Sequence, residues 1–226
     1  MSSQNQNGKT IVFAAHPDDE IIGCGGSLAK HANKNETTIV YLTSGDAGSL
    51  TCTKKELSEV RENEAKKAAS ILGISDLIFL RNPDGFLQCN KENLIKITNI
   101  IREKKPAIVY THSSKDMHPD HKTTNELTKR ALFMAGSSSF QEINGKPWIP
   151  YIIYAYEIMT PFQTPQYFED ITQFMNLKLE ALKLHETQKN LHCEEWVEGL
   201  NKYRGRTTGI GKYAEAFKIL RMSRTE

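Results

Sequence analysis

A three-layer α/β sandwich of the doubly wound, Rossmann-like type, with a mostly parallel twisted sheet, is the fold class this sequence predicts. Three observations carry it. Short, nearly continuous apolar runs alternate with amphipathic stretches of helical length. Runs of that kind suit strands buried on both faces, as in a parallel sheet covered by helices. The segments after the first four runs are "HPDDE", "SGDAGS", "NPDG" and "SSKDMHPDH", all polar and rich in Asp, Gly or His. They gather at the carboxyl ends of the strands, where open α/β sheets place their sites.

The elements follow in order. "TIVFAA" (10–15), β-branched and aromatic, predicts the first strand, and "IGCGGSLAKHA" (22–32) the first helix. "TTIVYLT" (37–43) predicts a second strand, and "KKELSEVRENEAKKAASIL" (54–72) a long helix with its charges on one side. "DLIFL" (76–80) and "PAIVYTH" (106–112) predict strands three and four, with the helical "KENLIKITNIIREKK" (91–105) between them. "HPDHKTTNELTKRALFMA" (118–135) predicts another helix, "YIIYAYEI" (151–158) a later strand, and "YFEDITQFMNLKLEALKLHETQ" (167–188) a later helix. Right-handed crossovers would wind these into a double layer. No repeat, linker or low-complexity segment interrupts the pattern, so residues 1–226 read as one domain. The stretch from Gly136 to Pro150 is the candidate for a mobile loop or flap.

Composition narrows the function classes. Apolar residues make up 38% and charged residues 25%, as in a globular chain long enough for a real core. The net charge of +2, with Lys and Arg interleaved among Asp and Glu, gives no basic patch for nucleic acid. The polar start, "MSSQNQNGKT", has no hydrophobic signal core. No stretch approaches the ~20 apolar residues of a membrane span. Cys24, Cys52, Cys89 and Cys193 form no C-x-x-C pair, which fits a reducing, cytoplasmic setting. Asn35-Glu36-Thr37 matches a glycosylation sequon, read as chance without a secretory route.

Two nucleotide motifs fail on inspection. "GKT" at 8–10 lacks the earlier glycine of a phosphate loop, since position 3 is Ser3, and it precedes its strand. Gly23, Gly25 and Gly26 lack the third dinucleotide glycine, because position 28 is Leu28. What remains is a pair: "HPDD" at 16–19 and "HPDH" at 118–121, each between a predicted strand and a predicted helix. Proline and aspartate are welcome at helix starts for local reasons. Together, however, the two motifs align His16 with Asp19 and His118 with His121 at spacing i, i+3. If strands one and four are neighbours, the two turns face each other. Two imidazoles and a carboxylate with an open position make a catalytic metal site. A cation would also relieve the repulsion among Asp18, Asp19 and Glu20. Of the remaining histidines, His112 could stand behind the site, His185 in "KLHETQ" could reach it but reads first as structural, and His31 and His192 read as surface or structural residues.

These motifs resemble the PIG-L/LmbE-like family of metal-dependent N-acetylglucosamine deacetylases. "AHPDDEIIGCGG" and "HPDH" carry the resemblance; "TSGDAG", "RENEA", "NPDG", "KLEALKLHETQ" and "GKYAEAF" extend it over most of the chain. The resemblance implies that His16, Asp19 and His121 bind Zn2+, with Fe2+ acceptable to the same ligands. It implies Asp18 as general base and His118, protonated, as the group that stabilises the oxyanion or donates a proton. It places Arg61 against substrate, where composition alone would read one more exposed helical arginine. Asp84 is the candidate for sugar hydroxyls, against a turn role in "NPDG". The implied reaction is hydrolysis of an acetamide on a small amino sugar. Two alternatives stand beside it: a hydratase of an unsaturated carboxylic acid on the same fold, and a non-catalytic metal-binding module. Related proteins are often homo-oligomers, and no interface is legible in the sequence.

Overall fold

The computed structural model describes residues 8–32, 36–49 and 51–223. The sequon's Asn35 and the first seven residues of the polar start lie outside them. The strands are β1 (Thr10–Ala14), β2 (Thr37–Thr43), β3 (Asp76–Asn82), β4 (Ile108–His112), β5 (Ile152–Tyr156), β6 (Tyr167–Asp170) and β7 (Ala214–Met222). They form one sheet in the order β3-β2-β1-β4-β5-β7-β6. Strands β1 to β5 are parallel, and β7 pairs antiparallel with both β5 and β6. The helices are α1 (Asp19–Ala32), α2 (Lys54–Ile71), α3 (Lys91–Lys104), α4 (Pro119–Ala135), α5 (Met175–Lys183) and α6 (Cys193–Thr208). A short 3-10 helix spans Glu186–Leu191.

Strand alternation divides the core in two. Val12, Ala14, Ile39, Tyr41 and Tyr110 turn to one face and pack with α1, α2, α5 and α6 residues such as Leu28, Ala65, Ala181 and Val197. Ile11, Phe13, Val40, Leu42 and Val109 turn to the other and meet Ile97 and Ile101 of α3 and Leu127 and Leu132 of α4. This is why the central strands read as unbroken apolar runs. The chain leaves β1 in one direction towards β2 and β3, and the order reverses at β4, which pairs with β1 through Thr10↔Ile108 and Val12↔Tyr110. That reversal is the topological switch point, and both His/Asp turns lie at its carboxyl end.

Helix α1 starts three residues earlier than the sequence suggests and is broken at Cys24 (φ −149°, ψ 19°). A Cβ on Gly23 would stand 2.2 Å from the Tyr156 ring, and one on Gly26 2.7 Å from Ile171, so the glycine run lets α1 press onto the sheet and its neighbours. Two expectations fail. Residues 167–188 are not one helix: Tyr167–Asp170 pairs with β7 (Tyr167↔Phe217), and only Met175–Lys183 is α-helical. A partner nearly fifty residues away decides that segment, and its local pattern does not record it. The 136–150 stretch is tethered rather than left as a flap. The buried Arg102 guanidinium donates to the carbonyls of Met134, Ala135, Ser137, Ile143 and Gly145, and Trp148 Nε1 donates to Pro106 O. Among the described residues, no helix is long and apolar enough to cross a membrane.

Candidate active site

The turn after β1 carries three acids, and its backbone separates them. Asp18 has φ +129°, a conformation L-residues rarely adopt, which strains the chain and turns consecutive carboxylates apart. Asp19 opens α1 and folds back, so that its Oδ2 accepts from the His16 amide at 2.7 Å. Glu20 is fully buried and accepts from the Tyr41 hydroxyl at 2.6 Å. Burial pushes the Glu20 carboxyl up to about 8 and the Asp18 carboxyl up to about 7, in the latter case against the pull of Arg61. Burial also works against ionising Asp19, yet His121, His112 and His16 surround it and hold its carboxyl well below the usual range. Three adjacent acids coexist because their surroundings titrate them apart.

The second turn supplies the imidazoles. His118 caps α4 with Pro119 in the first helical position, and its Nδ1 accepts from the Asp120 amide at 3.2 Å. That bond leaves the proton on Nε2. Burial, with His16 and His121 nearby, lowers the His118 pKa. The ring thus presents an N–H at Nε2. His16 and His121 lie with their ring centroids 5.3 Å apart. His16 Nδ1 is 3.1 Å from Asp19 Oδ2, and His121 Nε2 is 3.3 Å from Asp19 Oδ1. Their outward nitrogens meet other carboxylates: His16 Nε2 faces Asp84 Oδ1 at 3.0 Å and Asp120 Oδ2 at 3.3 Å, and His121 Nδ1 faces Asp116 Oδ1 at 3.0 Å.

This donor set fits a divalent cation. Ligand atoms of His16, His118 and His121, and those of Asp19, His112 and His121, fall within 4.8 Å of one another. His16, Asp19 and His121 as a trio straddle these two groups. A third group, His16 with Asp84 and Asp120, lies on the outward side of His16. The inward side is the better cation position, because a carboxylate behind each ligating imidazole is the usual support of a metal site. Burial opposes protonating His16 and His121, but the carboxylates outweigh it, raising His16 well above its ordinary range and His121 to about 9. His112 Nε2 accepts from the Ala15 amide at 2.9 Å and lies 3.3 Å from Asp19 Oδ2, and burial lowers its pKa to about 4.

Arg61 and Asp84 both lie at the site and pair with its residues. Arg61 is 3% exposed, and its guanidinium donates to Pro17 O at 2.7 Å, Gly45 O at 3.1 Å and Asp18 Oδ2 at 3.2 Å. Neither an exposed helical arginine nor a free substrate contact describes it. Asp84 backs His16 and accepts from the Ala47 amide. Asp116 escaped the sequence reading altogether. It joins His121, the His118 amide and the Met159 amide, and the only hint was its place two residues before "HPDH". Asp116→Asn is expected to weaken metal affinity by about 10–100-fold. Competition with a metal-binding dye measures it, and an unchanged affinity would remove Asp116 from the support of His121.

Fold and site together define a class: a Rossmann-like α/β domain with a cluster of histidines and aspartates that could hold a metal ion at its switch point. Residues 11–132 match the PIG-L family, GlcNAc-PI de-N-acetylase, and the chain belongs to that family. Diacetylchitobiose deacetylase of Thermococcus kodakarensis is 29% identical over 223 residues, covering 94% of this chain and 83% of that protein. The structure of N,N'-diacetylchitobiose deacetylase from Pyrococcus horikoshii superposes with a TM-score of 0.86 at 25% identity, over 97% of this chain and 87% of that one. A 4-carboxy-2-hydroxymuconate hydratase from Pseudomonas putida superposes with a TM-score of 0.85 at 26% identity, over 96% and 98%.

Proposed function

We propose that this chain is a metal-dependent hydrolase that removes the acetyl group from an N-acetylated amino sugar. The observation that carries it is the strained Asp18, fixed by Arg61 beside the trio of His16, Asp19 and His121 but outside it. Two imidazoles and one carboxylate suit Zn2+ and also Fe2+. When bound, the cation polarises the acetamide carbonyl and makes water more acidic. Asp18 takes the proton of the attacking water, for which a carboxylate held near neutral pKa is suited. His118 directs its Nε2 proton at the carbonyl oxygen as that oxygen gains charge. Cleavage of the C–N bond then returns the proton held by Asp18 to the amine, giving acetate and the free amino sugar. Arg61 acts on this reaction through Asp18, and Asp84, Asp116 and Asp120 act through the ligating histidines.

A hydratase reading is supported by the Pseudomonas putida neighbour, whose fold is as close as that of the deacetylase. Metal analysis followed by parallel assays separates the two. Acetate release from a panel of N-acetylglucosaminides is expected, with no water addition to unsaturated dicarboxylates; the opposite pattern would replace the hydrolase with the hydratase.

A further inference from the structure

Beside Asp18 lies a cavity of about 400 Å3 with a polar wall that includes Lys183, Glu186 and Gln188. A second, of about 390 Å3, meets it at Cys193, which lines both. Ile158, Met159, Pro161, Leu191, Trp196 and Leu200 line the second, and none of these is charged. Met159 and Leu191 are 53% and 59% exposed. Apolar residues gathered in this way around one groove mark a binding surface, whereas scattered ones do not. The groove is built by the fold. One wall is α6, where Cys193, Trp196 and Leu200 share a face at spacing i, i+3, i+7. The other is the segment after β5. Arg204, one turn beyond Leu200, is buried and clamps that segment at both ends: it donates to Glu157 Oε1 at 2.9 Å and Oε2 at 2.7 Å, and to Phe162 O at 2.7 Å. A bidentate ion pair thus fixes the two walls against each other. The same segment reaches the histidine cluster, because the Met159 amide donates to Asp116 Oδ2 at 3.0 Å and Asp116 Oδ1 backs His121. At the junction, burial pushes the Cys193 thiol up to about 11, so it stays uncharged.

We propose that this groove binds an apolar aglycone, so that the substrate is an N-acetylated amino sugar carried on an alkyl or aryl group. The proposal rests on the amino-sugar reading above and adds what the sugar is attached to. A ligand that spans Cys193 meets polar walls on the Asp18 side and apolar walls beyond it. A sugar joined to hydrocarbon has the same division. The groove is of the size that ligand pockets have, and its lining is of their usual kind. Trp196 supplies an aromatic ring, and Met159, Leu191 and Leu200 supply aliphatic contact, so each methylene withdrawn from water adds affinity. A second copy of the chain would also cover these side chains, but only a ligand has a use for the junction with the cavity at Asp18.

Methyl, butyl and hexyl glucosaminides, in both anomers, serve as probes, because they carry the free amine and are not consumed. Their dissociation constants are measured calorimetrically on the metal-loaded protein for wild type, Trp196→Ala and Leu191→Ser. Each added methylene is expected to tighten wild-type binding by about two- to fourfold in one anomer, and so by well over about tenfold from methyl to hexyl. Both variants should cut that hexyl-to-methyl ratio by about fivefold, with metal content unchanged. Leu191 is exposed, so its serine variant serves if the Trp196 variant does not fold. A wild-type ratio below about tenfold in both anomers overturns the proposal, as does a ratio equal in wild type and variants, or a wild type that binds none of the probes. Sedimentation supplies the rival outcome: an oligomer that Leu191→Ser dissociates, with no dependence on chain length, gives the groove to a second copy. The hydrolase reading fails separately. A wild type that releases no acetate from the N-acetyl glycosides yet shows the chain-length gain, lost in the variants, keeps the groove and loses the reaction; acetate release at one kcat/KM along the whole series does the reverse.

Discussion

Asp18→Asn lowers kcat by about 10²–10⁴-fold with metal stoichiometry intact, the loss that removing a general base entails. The asparagine keeps the shape and can still accept from Arg61, but it cannot hold the proton of the attacking water. Metal stays because Asp18 Oδ2 faces Arg61, whereas both oxygens of Asp19 face the imidazoles. The backbone adds an independent check. At φ +129° a glycine is unstrained, so Asp18→Gly should be more stable than Asp18→Ala by about 1–3 kcal/mol while both are inactive. Paired measurements of metal content, kcat and urea midpoint decide this. An asparagine variant within threefold of wild-type kcat would move the base elsewhere in the site.

The legible part of this molecule is the part whose signal is local. Strands β1, β2, β4 and β5 showed themselves because burial on both faces makes a run apolar, and the β1/β4 neighbourhood is one that double winding allows. The turns "HPDD" and "HPDH" were legible as one His/Asp cluster because i, i+3 spacing at a helix start is a short-range geometry. What stayed hidden depends on chain segments far apart. Strand β6 is four half-buried residues whose pairing with β7 bridges more than forty positions. Arg61 sits in a charged helix, and nothing in "RENEA" tells that its guanidinium is buried against Pro17 and Asp18. Asp84 pairs with His16 across a loop, and Asp116 pairs with His121 from a turn with no periodicity. The ligands are sequence-local, whereas the groups that aim them are not.

Lys178→Met is expected to cost about 3–5 kcal/mol, the penalty for leaving one member of a buried ion pair alone. Lys178 and Glu215 both have 0% side-chain exposure, with Nζ and Oε1 2.7 Å apart. Their partners show why the sequence keeps a charge pair here. At the Cys24 break, α1 loses the bonds that its backbone would otherwise make to itself. Lys178 Nζ donates to the freed Ile22 carbonyl at 2.9 Å, and Glu215 accepts from the Gly26 and Ser27 amides at 2.9 and 2.8 Å. A cation thus closes the end of the first half-helix, which carries Asp19, and an anion opens the second, each matching the local helix dipole. Replacing both by apolar residues of similar volume often rescues a buried pair. Here Lys178→Met with Glu215→Leu should remain destabilised, because Ile22 O and the two amides lose their partners at about 1–3 kcal/mol each. For a domain of this size, 3–5 kcal/mol corresponds to a fall in Tm of roughly 6–20 °C. Urea unfolding of the two variants reads it directly. A double variant that recovers wild-type stability would show that the pair is replaceable packing, and that the broken helix beneath Asp19 holds its shape without it.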